Sequence, residues 1–145
     1  MGITHEPQGI ERIPRFVKAL LDTNVFLWCI AGQQSRLSRR AAKIVEDGAT
    51  ELLLSAVSLW EIALKVRLGK LELPEKESFF DEHMGLLGIG RVLPVQPAHI
   101  FTLFSLPDHH RDPFDRLLVS QSIAEGIPLV ASDATLRKYA VELIW

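Results

Sequence analysis

Residues 109–118 read HHRDPFDRLL, with two aspartates close to the start of a predicted helix. Asp112 followed by proline is typical of a helix N-terminus, because aspartate accepts hydrogen bonds from free backbone amides and proline fits the first helical position. Asp115 then falls in the first turn of that helix. An apolar run, IPLVA at residues 127–131, comes after the helix and leads to a further acid, Asp133. The stretch therefore predicts a helix that returns to a buried strand, with acids at the start of the helix and after the strand.

The same alternation of apolar runs and amphipathic segments continues over the rest of the chain. The apolar runs lack alternating polar residues, which is typical of strands buried on both faces of a parallel sheet. Strands that alternate with helices predict an α/β fold, here a three-layer α/β/α sandwich around a central parallel sheet of four or five strands. The predicted strands are 16–21, 51–55, 91–95, 127–131 and 141–145, and helices are expected to begin near residues 25, 37, 58, 75, 97, 112 and 134.

Length, charge and cysteine content narrow the class of protein. The 145 residues suit one domain with a sizeable core, expected over residues 16–145, after a polar and flexible extension at residues 1–15. The formal net charge of −2 excludes a general polycation, so any contact with nucleic acid must come from a local basic patch. The single cysteine, Cys29, excludes an internal disulfide and suits a reducing cytoplasm. No apolar run approaches the ~20 residues that span a membrane, so no membrane association is expected.

Each acid of interest has an ordinary explanation as a helix cap. Asp22 or Thr23 can cap the helix after the first strand, and Asp133 can cap the last short helix. Ser58 and Glu61 fit a capping box, in which the glutamate reaches back to the serine amide. On this interpretation the chain is a non-catalytic α/β binding module whose acids cap helices.

A parallel sheet would bring four of these acids together. Asp22 and Asp133 directly follow predicted strands, whereas Glu61 and Asp115 lie in the first turns of helices that start at the carboxyl edge of the sheet. Open α/β sheets bind ligands at this edge. Carboxylates gathered there repel one another, and a divalent cation such as Mg²⁺ or Mn²⁺ relieves the repulsion through the oxygen ligands that it prefers. The gathering depends on the strand order, which the sequence alone does not give.

Four segments of the chain carry a family resemblance: LLDTN at 20–24, SAVSLWEI at 55–62, HRDPFDRLL at 110–118 and LVASD at 129–133. In this order they resemble the PIN-domain nucleases, and more closely the VapC toxins of toxin–antitoxin pairs. The resemblance runs from about residue 16 to the C-terminus and implies a PIN-like fold. It implies that Asp22 and Asp115 hold Mg²⁺, with Mn²⁺ as a substitute. The implied catalytic residues are Asp22, Glu61, Asp115 and Asp133.

The same resemblance implies an activity and partners. The expected activity is metal-dependent endoribonuclease cleavage of single-stranded RNA by the cytoplasmic toxin of a type II toxin–antitoxin pair, inhibited by its cognate antitoxin. A homodimer is also expected, with residues 79–87 as a candidate interface. The alternative within the family is a PIN nuclease with a housekeeping role in RNA processing.

Polar neighbours of the four acids are candidates for orienting them. Asp112 is expected to cap its helix rather than to bind metal. Arg116 is expected to contact phosphate or to balance the charge of the acids. Residues that can orient carboxylates or water are Thr23, Asn24 and Ser132.

Other conspicuous side chains receive structural explanations. His109 and His110 lack the further soft ligands that a zinc site needs, so they are interpreted as loop residues near the crevice at the carboxyl edge, with a contact to RNA as the alternative. The large aromatic residues are interpreted mostly as core, with a subset forming the apolar groove that VapC-like proteins offer to an antitoxin helix. These aromatic residues are Trp28, Trp60, Phe79 and Phe80.

Overall fold

A computed structural model describes residues 17–145, so the expected extension at residues 1–15 lies outside the described range. No helix within 17–145 is long and apolar enough to cross a membrane. The strands are β1 (Lys18–Leu21), β2 (Glu51–Ser55), β3 (Ile89–Leu93), β4 (Leu129–Val130) and β5 (Leu143–Ile144). The α-helices are α1 (Thr23–Ile30), α2 (Arg39–Glu46), α3 (Ala56–Arg67), α4 (Glu77–Leu86), α5 (Pro97–Phe104) and α6 (Pro113–Glu125), with 3₁₀ helices at Gln34–Arg36 and Ala134–Lys138.

The five strands form one parallel sheet in the order β3-β2-β1-β4-β5. The chain builds outward from β1 through β2 to β3, and then resumes on the other side of β1 with β4 and β5. The strand order therefore reverses between β1 and β4, and ligands of open α/β sheets bind at the carboxyl end of such a switch point. Leu21 of β1 is in register with Leu54 of β2 and Val130 of β4, so the carboxyl ends of these three strands lie level.

Two apolar layers cover the two faces of the sheet, which confirms the predicted three-layer sandwich. Successive side chains of β1 point to opposite faces, as the pleat of a strand requires. Leu21 packs in one layer with Phe26 of α1 and Ile44 of α2. Leu20 packs in the other layer with Leu118 of α6. Because both faces are buried, β1 has no alternation of polar and apolar residues.

The third strand starts earlier than its sequence pattern predicts. It covers Ile89–Leu93 rather than residues 91–95. Gly88 has a φ of 73°, a left-handed conformation that glycine adopts without strain, and it turns the chain from the end of α4 directly into the strand.

The start of α3 also differs from the prediction. The N-cap is Ser55, whose hydroxyl accepts a hydrogen bond from the Val57 amide at 3.0 Å. The capping box predicted for Ser58 and Glu61 is therefore wrong, because both residues lie inside the helix. Glu61 is consequently placed in the second turn of α3 rather than in the first.

Candidate active site

The four predicted acids reach the carboxyl edge of the sheet from four different elements. Asp22 directly follows β1 and caps α1, and Asp133 follows β4 and caps the second 3₁₀ helix. Glu61 projects from α3, and Asp115 is the third residue of α6. Because β1, β2 and β4 are parallel neighbours, these elements meet at the switch point between β1 and β4.

Asp22 is the most deeply buried aspartate of this group. Its Oδ1 accepts a hydrogen bond from the Val25 amide at 2.8 Å, which satisfies one oxygen as the α1 cap. Burial raises the pKa of Asp22 from 3.8 to about 7, although the Val25 hydrogen bond acts in the opposite direction. The negative charges of Asp115, Glu61 and Asp133 contribute to this raised pKa, so the four predicted acids act on one another electrostatically.

Asp115 has a similar but milder electrostatic environment. Burial and then the charge of Asp112 raise its pKa to about 6, while His110 lowers it. Asp112 lies beside it as the N-cap of α6, where its Oδ1 accepts from the amides of Phe114 at 2.8 Å and Asp115 at 3.3 Å. The prediction that Asp112 begins this helix is confirmed.

Glu61 presents a buried oxygen with no hydrogen-bond partner. Its side chain is 7% exposed, and Oε2 forms an ion pair with Lys65 Nζ at 2.8 Å. Oε1 has no hydrogen-bond partner among residues 17–145. A buried anionic oxygen without a partner is costly, and a cation is the partner that would satisfy it. Together with the raised pKa values of Asp22 and Asp115, this oxygen fits a site for a hard divalent cation.

Asp133 differs from the other acids because both of its oxygens have donors. Oδ1 accepts from the Thr135 amide at 2.9 Å, and Oδ2 lies 2.8 Å from His110 Nε2. Burial acts to raise the pKa of Asp133, but the hydrogen bonds from Thr135 and His110 outweigh it and lower the pKa below 3.8. The site thus contains one acid with a donor on each oxygen, Asp133, and one with a partner on a single oxygen, Glu61, beside two aspartates with raised pKa values.

The sequence places His110 in a loop near the crevice but does not predict its contacts with the acids. Its Nε2 is also 3.5 Å from Asp115 Oδ2, and ligand atoms of His110, Asp115 and Asp133 all lie within 4.8 Å of one another. The available signal was position, because His110 precedes the N-cap of α6 by two residues and must therefore lie at the same edge of the sheet. A search for soft zinc ligands could not detect a histidine surrounded by carboxylates.

The predicted orienting residues occupy different places around the acids. Thr23 is buried, and its hydroxyl donates to Ser58 Oγ at 2.9 Å, which ties the start of α1 to α3. Asn24 is exposed, and Ser132 is half-buried next to Asp133. Arg116 is directed to the loop before α6, where Nη1 lies 2.9 Å from the Pro107 carbonyl oxygen and 3.3 Å from Asp108 Oδ1.

Trp60 lies on the surface beside the acids and not in the core, where most of the large aromatic residues were expected. The residue is 56% exposed, and its ring packs edge-on against Phe114 with centroids 4.8 Å apart. Trp60 immediately precedes Glu61, and Phe114 immediately precedes Asp115. The aromatic pair therefore flanks two of the predicted catalytic acids.

Comparison with known proteins is consistent with the fold described above. The PIN domain family model matches residues 19–142, and the chain belongs to the PIN-domain family. Over 125 residues it is 32% identical to Ribonuclease VapC22 of Mycobacterium tuberculosis, which covers 83% of this chain and 90% of that relative. Ribonuclease VapC16 of the same organism is 46% identical over 57 residues, 39% of this chain and 40% of the relative. The VapC-type PIN resemblance inferred from the sequence is confirmed.

Solved structures share the fold at low sequence identity. VapBC2 from Rickettsia felis, bound to a DNA fragment from its promoter, matches with a TM-score of 0.64 and 16% identity, over 87% of this chain and 96% of that chain. FitAcB from Neisseria gonorrhoeae matches with a TM-score of 0.57 and 16% identity, over 86% and 95% of the two chains.

Proposed function

We propose that this chain is a divalent-metal-dependent endoribonuclease that acts as the toxin of a toxin–antitoxin pair. The observation that carries the proposal is the buried Oε1 of Glu61, which has no hydrogen-bond partner within residues 17–145 and lies in a crevice shared with Asp22 and Asp115. An anionic crevice of this kind is unfavourable when empty and favourable around a cation. The names of the relatives VapC22 and VapC16, both ribonucleases, support the reaction class.

The metal assignment keeps the two aspartates that the family resemblance implies, and the free carboxylate oxygens of Asp22 and Glu61 support it. Asp22 uses Oδ1 for the cap of α1 and retains Oδ2, whereas Glu61 retains Oε1. We assign Mg²⁺, with Mn²⁺ as a substitute, to Asp22 and Asp115, with Glu61 as a further contributor, because hard cations take oxygen ligands. Bound there, the ion supplies Lewis acidity toward a phosphate oxygen and a more acidic water.

The remaining groups of the site hold the acids in place or orient the attacking water. Asp133 stays ionised because the Thr135 amide and His110 donate to it, so it can accept a hydrogen bond from the attacking water. Lys65 balances one oxygen of Glu61 and leaves the other facing the crevice. Thr23 and Ser58 fix α1 against α3, which holds Asp22 and Glu61 in a constant relation.

An unpaired RNA strand suits the surface next to the acids. The exposed ring of Trp60 offers a flat apolar face of the kind on which nucleobases stack, and a base in a duplex could not use it. Of the basic residues between positions 36 and 43, Arg36 lies over the Trp28 ring at 4.6 Å and Arg40 pairs with Glu142 at 3.7 Å, so both are already engaged. The single-stranded preference therefore rests mainly on the aromatic pair.

A cleft between α3, α4 and β3 suits an antitoxin segment. It has a volume of about 540 Å³, an apolar floor and acids at its rim. These features favour an amphipathic segment with apolar anchors and basic flanks. The two partners would meet in the cytoplasm, where both would be made. The floor includes Ile62, Val66, Phe80 and Met84, and the rim includes Glu75, Glu77 and Asp81.

The decisive experiment is cleavage of a short unpaired RNA by the purified chain. We expect cutting with Mg²⁺ or Mn²⁺, loss of cutting with EDTA, and loss in Asp115→Asn. Asp47→Asn is the matched control, because Asp47 is an exposed aspartate at the end of α2, remote from the carboxyl edge. Equal cutting by wild type and Asp115→Asn would remove the catalytic assignment.

The capping observations favour a second candidate, a non-catalytic binding module. Asp22, Asp112 and Asp133 all accept hydrogen bonds from helix-start amides, as that alternative requires. Calorimetric titration with Mg²⁺ separates the two. Asp22→Asn preserves the cap oxygen. If the chain is a binding module, this variant should bind Mg²⁺ as the wild type does; if it is a nuclease, the variant should lose Mg²⁺ binding.

A further inference from the structure

His110 is an imidazole placed among carboxylates, and two roles fit its immediate contacts. Nε2 lies 2.8 Å from Asp133 Oδ2 and 3.5 Å from Asp115 Oδ2. A histidine with two carboxylates is a ligand set that transition metals accept. The same distance to Asp133 equally fits a hydrogen bond that orients this acid. The second ring nitrogen decides between the two roles.

The Asp112 backbone amide donates a hydrogen bond to His110 Nδ1 at 3.1 Å. A ring nitrogen that accepts a hydrogen bond carries no proton, so this network assigns the imidazole proton to Nε2, facing Asp133. Metal-bound histidines normally donate from the second nitrogen to a carboxylate or carbonyl. In His110 the second nitrogen, Nδ1, faces the Asp112 amide, which is a donor. Coordination of a metal through Nε2 would move the imidazole proton to Nδ1, where its N–H group would point at the Asp112 N–H group.

The main chain of His110 is held as firmly as its ring. The His110 amide donates to the Tyr139 hydroxyl at 2.8 Å, and Arg116 Nη1 donates to the same hydroxyl at 3.3 Å. Arg116 also binds the Pro107 carbonyl, which fixes the loop on the other side. The imidazole is therefore pre-organised by buried Tyr139 and by Arg116, and no rearrangement is needed to present Nε2–H to Asp133.

We propose that His110 is a positioning residue, which holds Asp133 through its Nε2–H and is not a metal ligand. The effect of His110 on the reaction rate rests on the proposed nuclease function. The tautomer of His110 and its absence from the metal ligands do not depend on that function. With His110 on Oδ2 and the Thr135 amide on Oδ1, Asp133 is fixed at both oxygens. The cation then falls to the other acids of the crevice.

Spectroscopy of the wild-type chain tests the tautomer and the metal shell directly. The His110 signals in long-range ¹H–¹⁵N spectra are assigned as those missing from His110→Gln. They should show an unprotonated Nδ1 and a protonated Nε2, both in EDTA and after Mg²⁺ is added. Pulsed EPR of bound Mn²⁺ should show no coupling to a His110 nitrogen. Such a coupling would be recognised because it would be present in the wild type and absent in His110→Gln. Transfer of the proton to Nδ1 on metal addition, or such a coupling, would overturn the proposal.

Two substitutions separate positioning from ligation. His110→Gln keeps an N–H donor near Asp133, and His110→Ala removes it. We expect Mg²⁺ affinity to stay within about twofold in both, while kcat falls roughly 10- to 100-fold in His110→Ala and recovers in His110→Gln. His109→Gln, at the exposed neighbour, should match wild type. Loss of metal affinity in both His110 variants, or an unchanged kcat in His110→Ala, would contradict the proposal.

The same experiments distinguish failure of this proposal from failure of the proposed function. A chain that cuts no RNA under any metal condition would refute the nuclease assignment. The nitrogen spectra and the metal titrations would still report whether His110 is a donor to Asp133 or a ligand.

Discussion

Asp22 shows how one carboxylate can cap a helix and also serve a metal site. One oxygen accepts the Val25 amide and completes the start of α1, while the other remains for the crevice. The two explanations that compete in the sequence are therefore compatible in the structure. The difference between them lies in electrostatics, because a simple surface cap would not have a pKa raised to about 7 by burial.

In EDTA, the chain should lose stability as the pH rises from about 4 to about 7. The pKa values of Asp22 and Asp115, about 7 and about 6, exceed their ordinary value of 3.8. Between those values the folded state holds more protons than the unfolded state, so the free energy of unfolding falls, by at most about 1.4 kcal/mol per pH unit per group. Urea unfolding at both ends of this range measures the loss.

Asp22→Asn is the control for this pH dependence, since it keeps the cap oxygen and removes the titration. Its unfolding free energy should depend less on pH over the same range. Asp133 contributes in the opposite sense, because its lowered pKa adds stability that is lost only as the pH falls below 3.8, outside the tested range. Stability that increases from pH 4 to 7 in the wild type would contradict the arrangement of acids described above.

Trp60→Ala should weaken RNA binding more than it slows the chemical step. Stacking of one base is worth about 1–3 kcal/mol, so KM for a short unpaired RNA should rise roughly 10-fold, with kcat little changed. Trp60→Phe should restore most of the loss, because it keeps an aromatic face. Leu68→Ala, at an exposed apolar residue just after α3, is the control. An unchanged KM in Trp60→Ala would exclude the stacking role.

At the scale of elements, α6 connects the loop of His110 to the crevice. Its N-cap, Asp112, accepts from two amides of the first turn and donates its own amide to His110 Nδ1. The first turn then presents Asp115 to the other acids. Secondary-structure chemistry at this helix start therefore sets the positions of both Asp115 and His110.

Asp112→Ala should lower stability and leave metal binding nearly intact. Loss of an N-cap costs about 1 kcal/mol, whereas the Asp112 amide that fixes His110 is retained in any variant. Thermal unfolding and Mg²⁺ titration measure the two quantities on the same sample. Asp112→Asn, which keeps a cap oxygen, should be close to wild type in stability. If Asp112→Ala lost metal affinity while keeping its stability, Asp112 would be a ligand rather than a cap.

Local sequence patterns predicted most elements, and they placed Asp22 and Asp133 after apolar runs that form the buried strands β1 and β4. The start of α3 differs from its prediction because two serines, Ser55 and Ser58, could each serve as its N-cap. The strand order was not readable, since parallel pairing joins distant segments. The contact of His110 with Asp133 spans 23 residues, and the exposure of Trp60 depends on how α6 packs. Both are tertiary properties that no local pattern encodes.

At the scale of the whole molecule, the reversal of strand order at β1 concentrates acids at one edge and leaves other surfaces for partners. The face of α5 is one such surface, with Phe101 66% and Phe104 84% exposed and their rings stacked at 6.3 Å. Exposed aromatic residues at adjoining positions are unusual on a monomer and typical of a contact. The homodimer that the family resemblance implies therefore has two candidate interfaces, this face and residues 79–87.

Two substitutions decide between these interfaces. If the α5 face joins two copies of the chain, Phe104→Ser should convert a dimer into a monomer, because serine removes a large apolar anchor at its most exposed point. Leu86→Ser, at a residue 77% exposed in the other candidate, should then leave the dimer intact. Size-exclusion chromatography with light scattering gives the mass of each variant. Dissociation by Leu86→Ser alone would instead place the contact on α4, and a monomeric wild type would refute the dimer.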